Sequence, residues 1–109
     1  MKLSSLTVFF PCYNEEANVS RMVERFEEVL PRIAKKYEIL IIDDGSADGT
    51  ARIADKIAKN NLHVRAIHHP KNQGYGASLR TGINEARYDW IFFTDGDMQF
   101  DVSQLEHFL

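Results

Sequence analysis

Asp95 and Asp97 stand two apart around Gly96, one residue (Thr94) past the apolar run Trp90-Ile91-Phe92-Phe93. Residues two apart on an extended backbone share a face, and a glycine between them can re-aim either one. Two hard oxygen donors suit Mg2+ or Mn2+, metals that arrive with a substrate's phosphates. The carboxyl end of a strand is also where open α/β sheets bind ligands. Asp and Gly equally build solvated turns, so this stretch alone leaves both readings open.

A second acidic turn, Asp43-Asp44-Gly45-Ser46-Ala47-Asp48-Gly49-Thr50, follows the run Ile39 to Ile42. Part of it matches a calcium loop, with Gly49 at the sixth position and Asp55 at the twelfth. Against that stand the β-rich segment before it, Asp in place of a bidentate Glu, and Arg52 at a ligand position. A capped turn, with Ser46 or Asp48 starting a helix, is the simpler reading. Gly74-Tyr75-Gly76 carries two glycines of a dinucleotide fingerprint, but Leu79 stands where the third belongs. A tight turn feeding a helix amino terminus able to attract an anion is expected there. His63, His68 and His69 show no metal-ligand spacing and read as edge or surface residues. Cys12 reads as a small buried thiol and Trp90 as core.

The elements that position these residues alternate. Leu6 to Phe10 reads as a strand ended by Pro11. Val19, Met22, Val23, Phe26, Val29, Leu30 and Ile33 recur at helical spacing, with Asn14 or Asn18 as cap and Pro31 ending or kinking the helix. Glu38 to Asp43 is a second strand, apolar enough for a parallel sheet covered on both faces. A helix with Ile53, Ala54, Ile57 and Ala58 inward follows and ends at Asn60-Asn61. His63 to His68 is a third strand. A helix to about Arg87 carries Leu79, Ile83 and Ala86, and Trp90 to Thr94 is a fourth strand. Asp101 and Gln104 suit a capping pair for a last helix with Val102, Leu105 and Phe108 inward. The alternation predicts an α/β fold, a mostly parallel open sheet with flanking helices. Tyr13, Glu15, Asp44 and Asp97 should converge at one sheet edge.

With 109 residues the chain is one small domain, and 44% hydrophobic with 27% charged residues is ordinary globular composition. A net charge of −3 without a basic run argues against a nucleic-acid partner. A single cysteine suggests a reducing, cytoplasmic setting, and no apolar run is long enough for a transmembrane span.

Four pieces in order resemble the family 2 glycosyltransferases over essentially the whole chain. They are Phe10-Pro11-Cys12-Tyr13-Asn14-Glu15, Ile42-Asp43-Asp44-Gly45-Ser46-Ala47-Asp48, Asn72-Gln73-Gly74-Tyr75-Gly76-Ala77 and Asp95-Gly96-Asp97-Met98-Gln99. The Asp-x-Asp-x-Gln form is similar to the polyprenyl-phosphate sugar synthases, although Phe100-Asp101 stands where relatives often carry proline. The resemblance implies the nucleotide-binding half of a GT-A fold and a metal-dependent, inverting transfer from a nucleotide-diphosphate sugar. It implies that Pro11, Tyr13 and Glu15 line the nucleotide pocket. Asp44, with Ile42 beside it, would read the base of a UDP- or GDP-linked donor. Asp95 would lie near ribose and metal, Asp97 would hold Mg2+ or Mn2+, and Gln99 would contact the metal or diphosphate. The acceptor would be a polyprenyl phosphate or a saccharide, with membrane association in a longer protein. Glu15 and Asp101 are poor candidates for the catalytic base, which the resemblance places beyond Leu109.

Three rivals fit less well. A haloacid-dehalogenase phosphatase and a receiver domain both want their acids after the first strand, where Pro11-Cys12-Tyr13-Asn14 stands. A non-catalytic nucleotide-sugar-binding module differs only in lacking turnover. Positioning an acceptor contributes ~7–11 kcal/mol to such a reaction. Residues 1–109, ending as a truncated domain, are therefore expected to bind donor yet transfer no sugar. They should also self-associate through apolar surface around Phe100, Phe108 and Leu109. A transfer assay with sedimentation velocity checks both, and robust metal-dependent transfer by this chain would overturn the first.

Overall fold

The computed structural model describes residues 2–95. The expected last helix and the Phe100, Phe108 and Leu109 edge lie outside the described residues. Along the chain run β1 (Leu3–Cys12), α1 (Val19–Ile33), β2 (Ala34–Asp43), α2 (Thr50–Asn60), β3 (Val64–His68), α3 (Tyr75–Glu85) and β4 (Trp90–Phe93). The four strands form one parallel sheet in the order β3-β2-β1-β4. This is the α/β architecture the alternation predicts.

Strand alternation divides the core. Val8, Phe10, Ile39 and Ile41 face α1, whose seven expected apolar residues are all buried. Phe9, Leu40 and Ile42 face the other way, against Ile67 and Leu79. Both faces are covered, which is why β1 and β2 read as continuous apolar runs.

Two prolines do not act as stops. β1 continues through Pro11 to Cys12. Phe9 O accepts from Thr94 N on the β4 side, and Cys12 O accepts from Asp44 N on the β2 side. Alternation then turns Pro11 toward β4, beyond that strand's end at Phe93, where its missing N–H costs no ladder bond. α1 likewise runs past Pro31 to Ile33. An interior proline costs ~3 kcal/mol. Burying Leu30 and Ile33 in the same turn contributes ~1.5–3 kcal/mol each, enough to carry the helix on. Asn18 occupies the N-cap position without a capping bond, its amide donating instead to Glu15 Oε2 at 2.8 Å.

Among the described residues β4 pairs only with β1, and Trp90 is 56% exposed rather than core, with Ile91 and Phe93 also exposed. α3 ends at Glu85 and keeps Leu79 inward but turns Ile83 out. Ser78 and Gly82 are buried and Ile83 is exposed. The helix approaches β1 so closely that a Cβ on Gly82 would lie 2.3 Å from the Phe9 ring. Small residues carry that contact, and a pattern built on large apolar ones misses it.

At the amino end of the sheet, buried Glu38 accepts from Thr7 Oγ1 at 2.7 Å, Arg65 Nε at 3.1 Å and Arg87 N at 2.8 Å. These bonds compensate a burial that would otherwise be strongly unfavourable. They also tie the exit of α3 to β1, β2 and β3.

Gly82→Ala gains up to ~1 kcal/mol of helix propensity. Overpacking a buried ring that is stacked on Phe93 costs ~1–3 kcal/mol. The variant should be less stable, with a lower urea midpoint at unchanged slope; an equal or higher midpoint would show that α3 can shift away from Phe9.

Candidate functional site

The loops after β1 and β2 are bound to one another. Asn14, at φ 54°, accepts from Ala47 N at 2.8 Å through its side-chain oxygen, and its own N–H donates to Ser46 Oγ at 3.0 Å. Glu15 N donates to Thr50 Oγ1 at 2.9 Å, and Glu16 accepts from Gly49 N at 3.2 Å. The segment after β3 crosses above them. A Cβ on Gly45 (φ +68°) would sit 2.3 Å from the Lys71 carbonyl carbon, so only glycine fits under this crossing.

Between these loops and the amino end of α3 lies an open cleft of about 300 Å³. Pro11, Tyr13, Glu15, Asp44 and Asp95 all line it, with Gly74 and Tyr75 opposite. The structure therefore brings five of the six expected nucleotide-contacting residues together. Ile42 is the exception: it is fully buried, packed with Phe9 and Leu40, and does not line the cleft. Asp97 and Gln99 lie outside the described residues. A wider groove of about 710 Å³ between α1 and α2 gathers Glu24, Glu27, Glu28, Arg52 and Lys56, away from the strand ends.

Asp44 is 4% exposed. Its Oδ1 accepts from His69 Nδ1 at 2.7 Å and Gln73 N at 2.9 Å, and its Oδ2 from Gly74 N at 3.0 Å. Burial pushes the carboxyl up, but the His69 bond and the two backbone amides outweigh it and hold the pKa below the usual range. Neighbouring Asp43 points the other way and receives His68 Nδ1 at 2.7 Å, while His68 Nε2 meets Asp55 Oδ1 at 2.6 Å. Burial alone would lower the His68 pKa, yet bonds to two carboxylates raise it.

These contacts exclude the calcium-loop reading. The turn joins a strand to a helix, Asp44 and Asp55 are each engaged by a histidine, and no acidic cluster able to hold a metal occurs among the described residues. His69, expected at the surface, is buried behind Asp44 with Nε2 at 2.8 Å from Thr81 Oγ1. Its position just past the end of β3, beside the strand that ends in Asp43-Asp44, is the signal that could have placed it there. Ser78 sits under the cleft with its hydroxyl unpartnered among the described residues, and nothing in a serine on a helix announces that. The Cys12 thiol is pushed up to about 12 by burial and by Asp43, Glu15, Asp48 and Asp44 around it.

At the cleft mouth Tyr75 donates to Asp95, and partial burial together with that charge raises the phenol pKa. Asp95 is an exposed carboxylate at the end of β4. Magnesium and manganese sites that carry phosphates use one or two such carboxylates rather than an all-protein cage, so Asp95 fits as one hard oxygen ligand.

The family model for glycosyl transferase family 2 matches residues 7–109, and the chain belongs to that family. Among its relatives is an undecaprenyl-phosphate 4-deoxy-4-formamido-L-arabinose transferase of Proteus mirabilis, 31% identical over 99 residues. The match covers 90% of this chain, which spans about 30% of that relative's length. The fold matches residues 1–349 of S. aureus TarS in complex with UDP-GlcNAc, with a TM-score of 0.77 at 24% identity, covering 98% of this chain and 30% of that one. It matches equally the mannosyltransferase PcManGT of Pyrobaculum calidifontis in complex with GDP-Man and Mn2+, with a TM-score of 0.77 at 24% identity, covering 91% and 29%. The fold is GT-A.

The two titrations act in opposite directions. His68 has a raised folded pKa, so its stabilisation is complete below the unfolded value of ~6.5 and is lost as pH rises through the folded one. Asp44 has a lowered folded pKa, so its contribution is present above ~3.9 and is lost as pH falls through the folded one. Urea midpoints against pH should fall on both sides, and His68→Asn should flatten only the alkaline limb. A variant with the wild-type alkaline limb would remove His68 as its cause.

Proposed function

We propose that this chain is the donor-binding part of a metal-dependent, inverting glycosyltransferase. It binds a nucleotide-diphosphate sugar, and the sugar passes to a polyprenyl phosphate or a saccharide. The observation that carries this reading is the convergence of Pro11, Tyr13, Glu15, Asp44 and Asp95, from three separate strand ends, on one cleft. Tyr13, 48% exposed, offers a ring face for the base, and Asp44 offers an acceptor for a base N–H. Asp95 stands at the diphosphate end, with Asp97 and Gln99 as the remaining metal-side contacts.

In the transfer an acceptor oxygen attacks the anomeric carbon opposite the diphosphate. The bond from that carbon to the diphosphate oxygen breaks, and the electron pair leaves with the diphosphate. A hydroxyl acceptor gives its proton to a base, whereas a phosphate acceptor needs none. A bound divalent cation supplies Lewis-acid stabilisation of the departing charge. Glu15 is held by Asn18, which supports its reading as a wall of the donor pocket rather than as the base. The polyprenyl-phosphate chemistry in the name of the P. mirabilis relative supports the lipid acceptor. Such an acceptor would put the working protein at a membrane face. No helix among the described residues is long and apolar enough to cross one.

Asp97→Asn tests the metal assignment. Losing a charged ligand should weaken Mn2+-dependent binding of a nucleoside diphosphate by ~1–3 kcal/mol, with thermal stability unchanged. Calorimetry with and without Mn2+ measures it, and equal affinity in variant and wild type would remove Asp97 from the site.

A further inference from the structure

The base of the donor is written in the acceptor positions that Asp44 has left. An ionised carboxylate can accept at about four positions. Oδ1 is filled by His69 Nδ1 and Gln73 N, and Oδ2 is half filled by Gly74 N. Among the described residues three positions are taken and one, on Oδ2, remains. An ionised carboxylate only accepts, so the His69 proton must sit on Nδ1 whatever the state of the other nitrogen. Thr81 Oγ1, 2.8 Å from Nε2, holds the ring in that pose. Asp44 and His69 are 4% and 9% exposed, so water does not easily take the histidine's place.

Guanine presents two adjacent donors, N1–H and the 2-amino group, which grip a carboxylate through both oxygens at once. Here Oδ1 has no position free for the second. Uracil presents one donor, N3–H, between two carbonyls, and needs one acceptor. Cytosine and adenine would turn a ring-nitrogen lone pair toward the carboxylate.

We infer that His69, held by Thr81, fills one oxygen of Asp44 and so makes the cleft select uracil over guanine, which makes the donor a uridine-diphosphate sugar. The inference rests on the cleft being the donor site. His69 is a positioning residue that sets specificity through Asp44 without touching the base.

The test is calorimetry of residues 1–109 with UDP and with GDP, each with Mn2+. UDP should bind more tightly by at least about tenfold, the scale of a buried polar group left without its partner. His69→Leu opens Oδ1, so the UDP-to-GDP ratio should fall toward one. His69→Asn, whose amide nitrogen lies where Nδ1 lay, should keep the ratio. If circular dichroism shows His69→Leu unfolded, Thr81→Val replaces it and should lower the ratio in the same direction. GDP binding as tightly as UDP to the wild type would overturn the inference and leave the donor reading standing. An unchanged ratio in a folded His69→Leu would overturn the role of His69. Binding of neither nucleotide would overturn the donor reading, and the inference with it.

Discussion

Two consecutive carboxylates at the end of β2 cannot share a face, and much of the molecule is arranged around that fact. Strand alternation sends Asp43 toward α2 and Asp44 toward α3. β3, paired with β2 so that Asp43 stands opposite His68, delivers one histidine to each. His68 passes its second nitrogen to Asp55 on α2, and His69 passes its own to Thr81 on α3. Each helix is thereby fastened to the sheet through an acid–imidazole pair. The Gln73 and Gly74 amides close on what remains of Asp44, which shapes the far wall of the cleft.

The opposite end of the sheet does different work. Glu38, Arg65 and Thr7 hold the exit of α3 against three strands, and no residue of that group reaches the cleft. Buried charge is tolerated there because every partner is supplied. At the carboxyl end the acceptor capacity of Asp44 and the hydroxyl of Ser78 are left partly unused. Satisfied polar groups at one end and open ones at the other separate what keeps the chain folded from what a ligand can engage.

The fold was legible because its strongest signals are periodic. The face of α1, the runs in β1 and β2 and the acids after β1, β2 and β4 lie in the sequence at the spacing the structure uses. Convergence of Tyr13, Glu15 and Asp44 followed from parallel topology alone, since parallel strands put all their exits on one edge, while Asp97, the fourth expected there, lies outside the described residues. What stayed hidden depends on contacts between distant segments. Pro11 looked like a stop because the direction it faces in the sheet is not a local property, and Pro31 looked like a stop or a kink although Ile33 beyond it already continued the apolar face. The inward face of α3 was only partly assigned: Leu79 packs inward as expected, but Ser78 and Gly82 rather than Ile83 carry the closest contact. His69 looked like surface because a histidine's burial depends on who stands beside it, and Asp44 is 25 positions away.

Cys12 sits at the inner wall of the cleft, the only sulfhydryl of the chain, with its pKa pushed up to about 12. Alkylating and oxidising reagents attack the thiolate, which this environment all but abolishes at neutral pH. Cys12 is also buried, so both access and ionisation disfavour its reaction with a maleimide. A pair of cysteines, one on the exposed side of α2 and one on the exposed side of α3, would carry spin labels on opposite sides of the sheet without first removing a residue from the cleft wall.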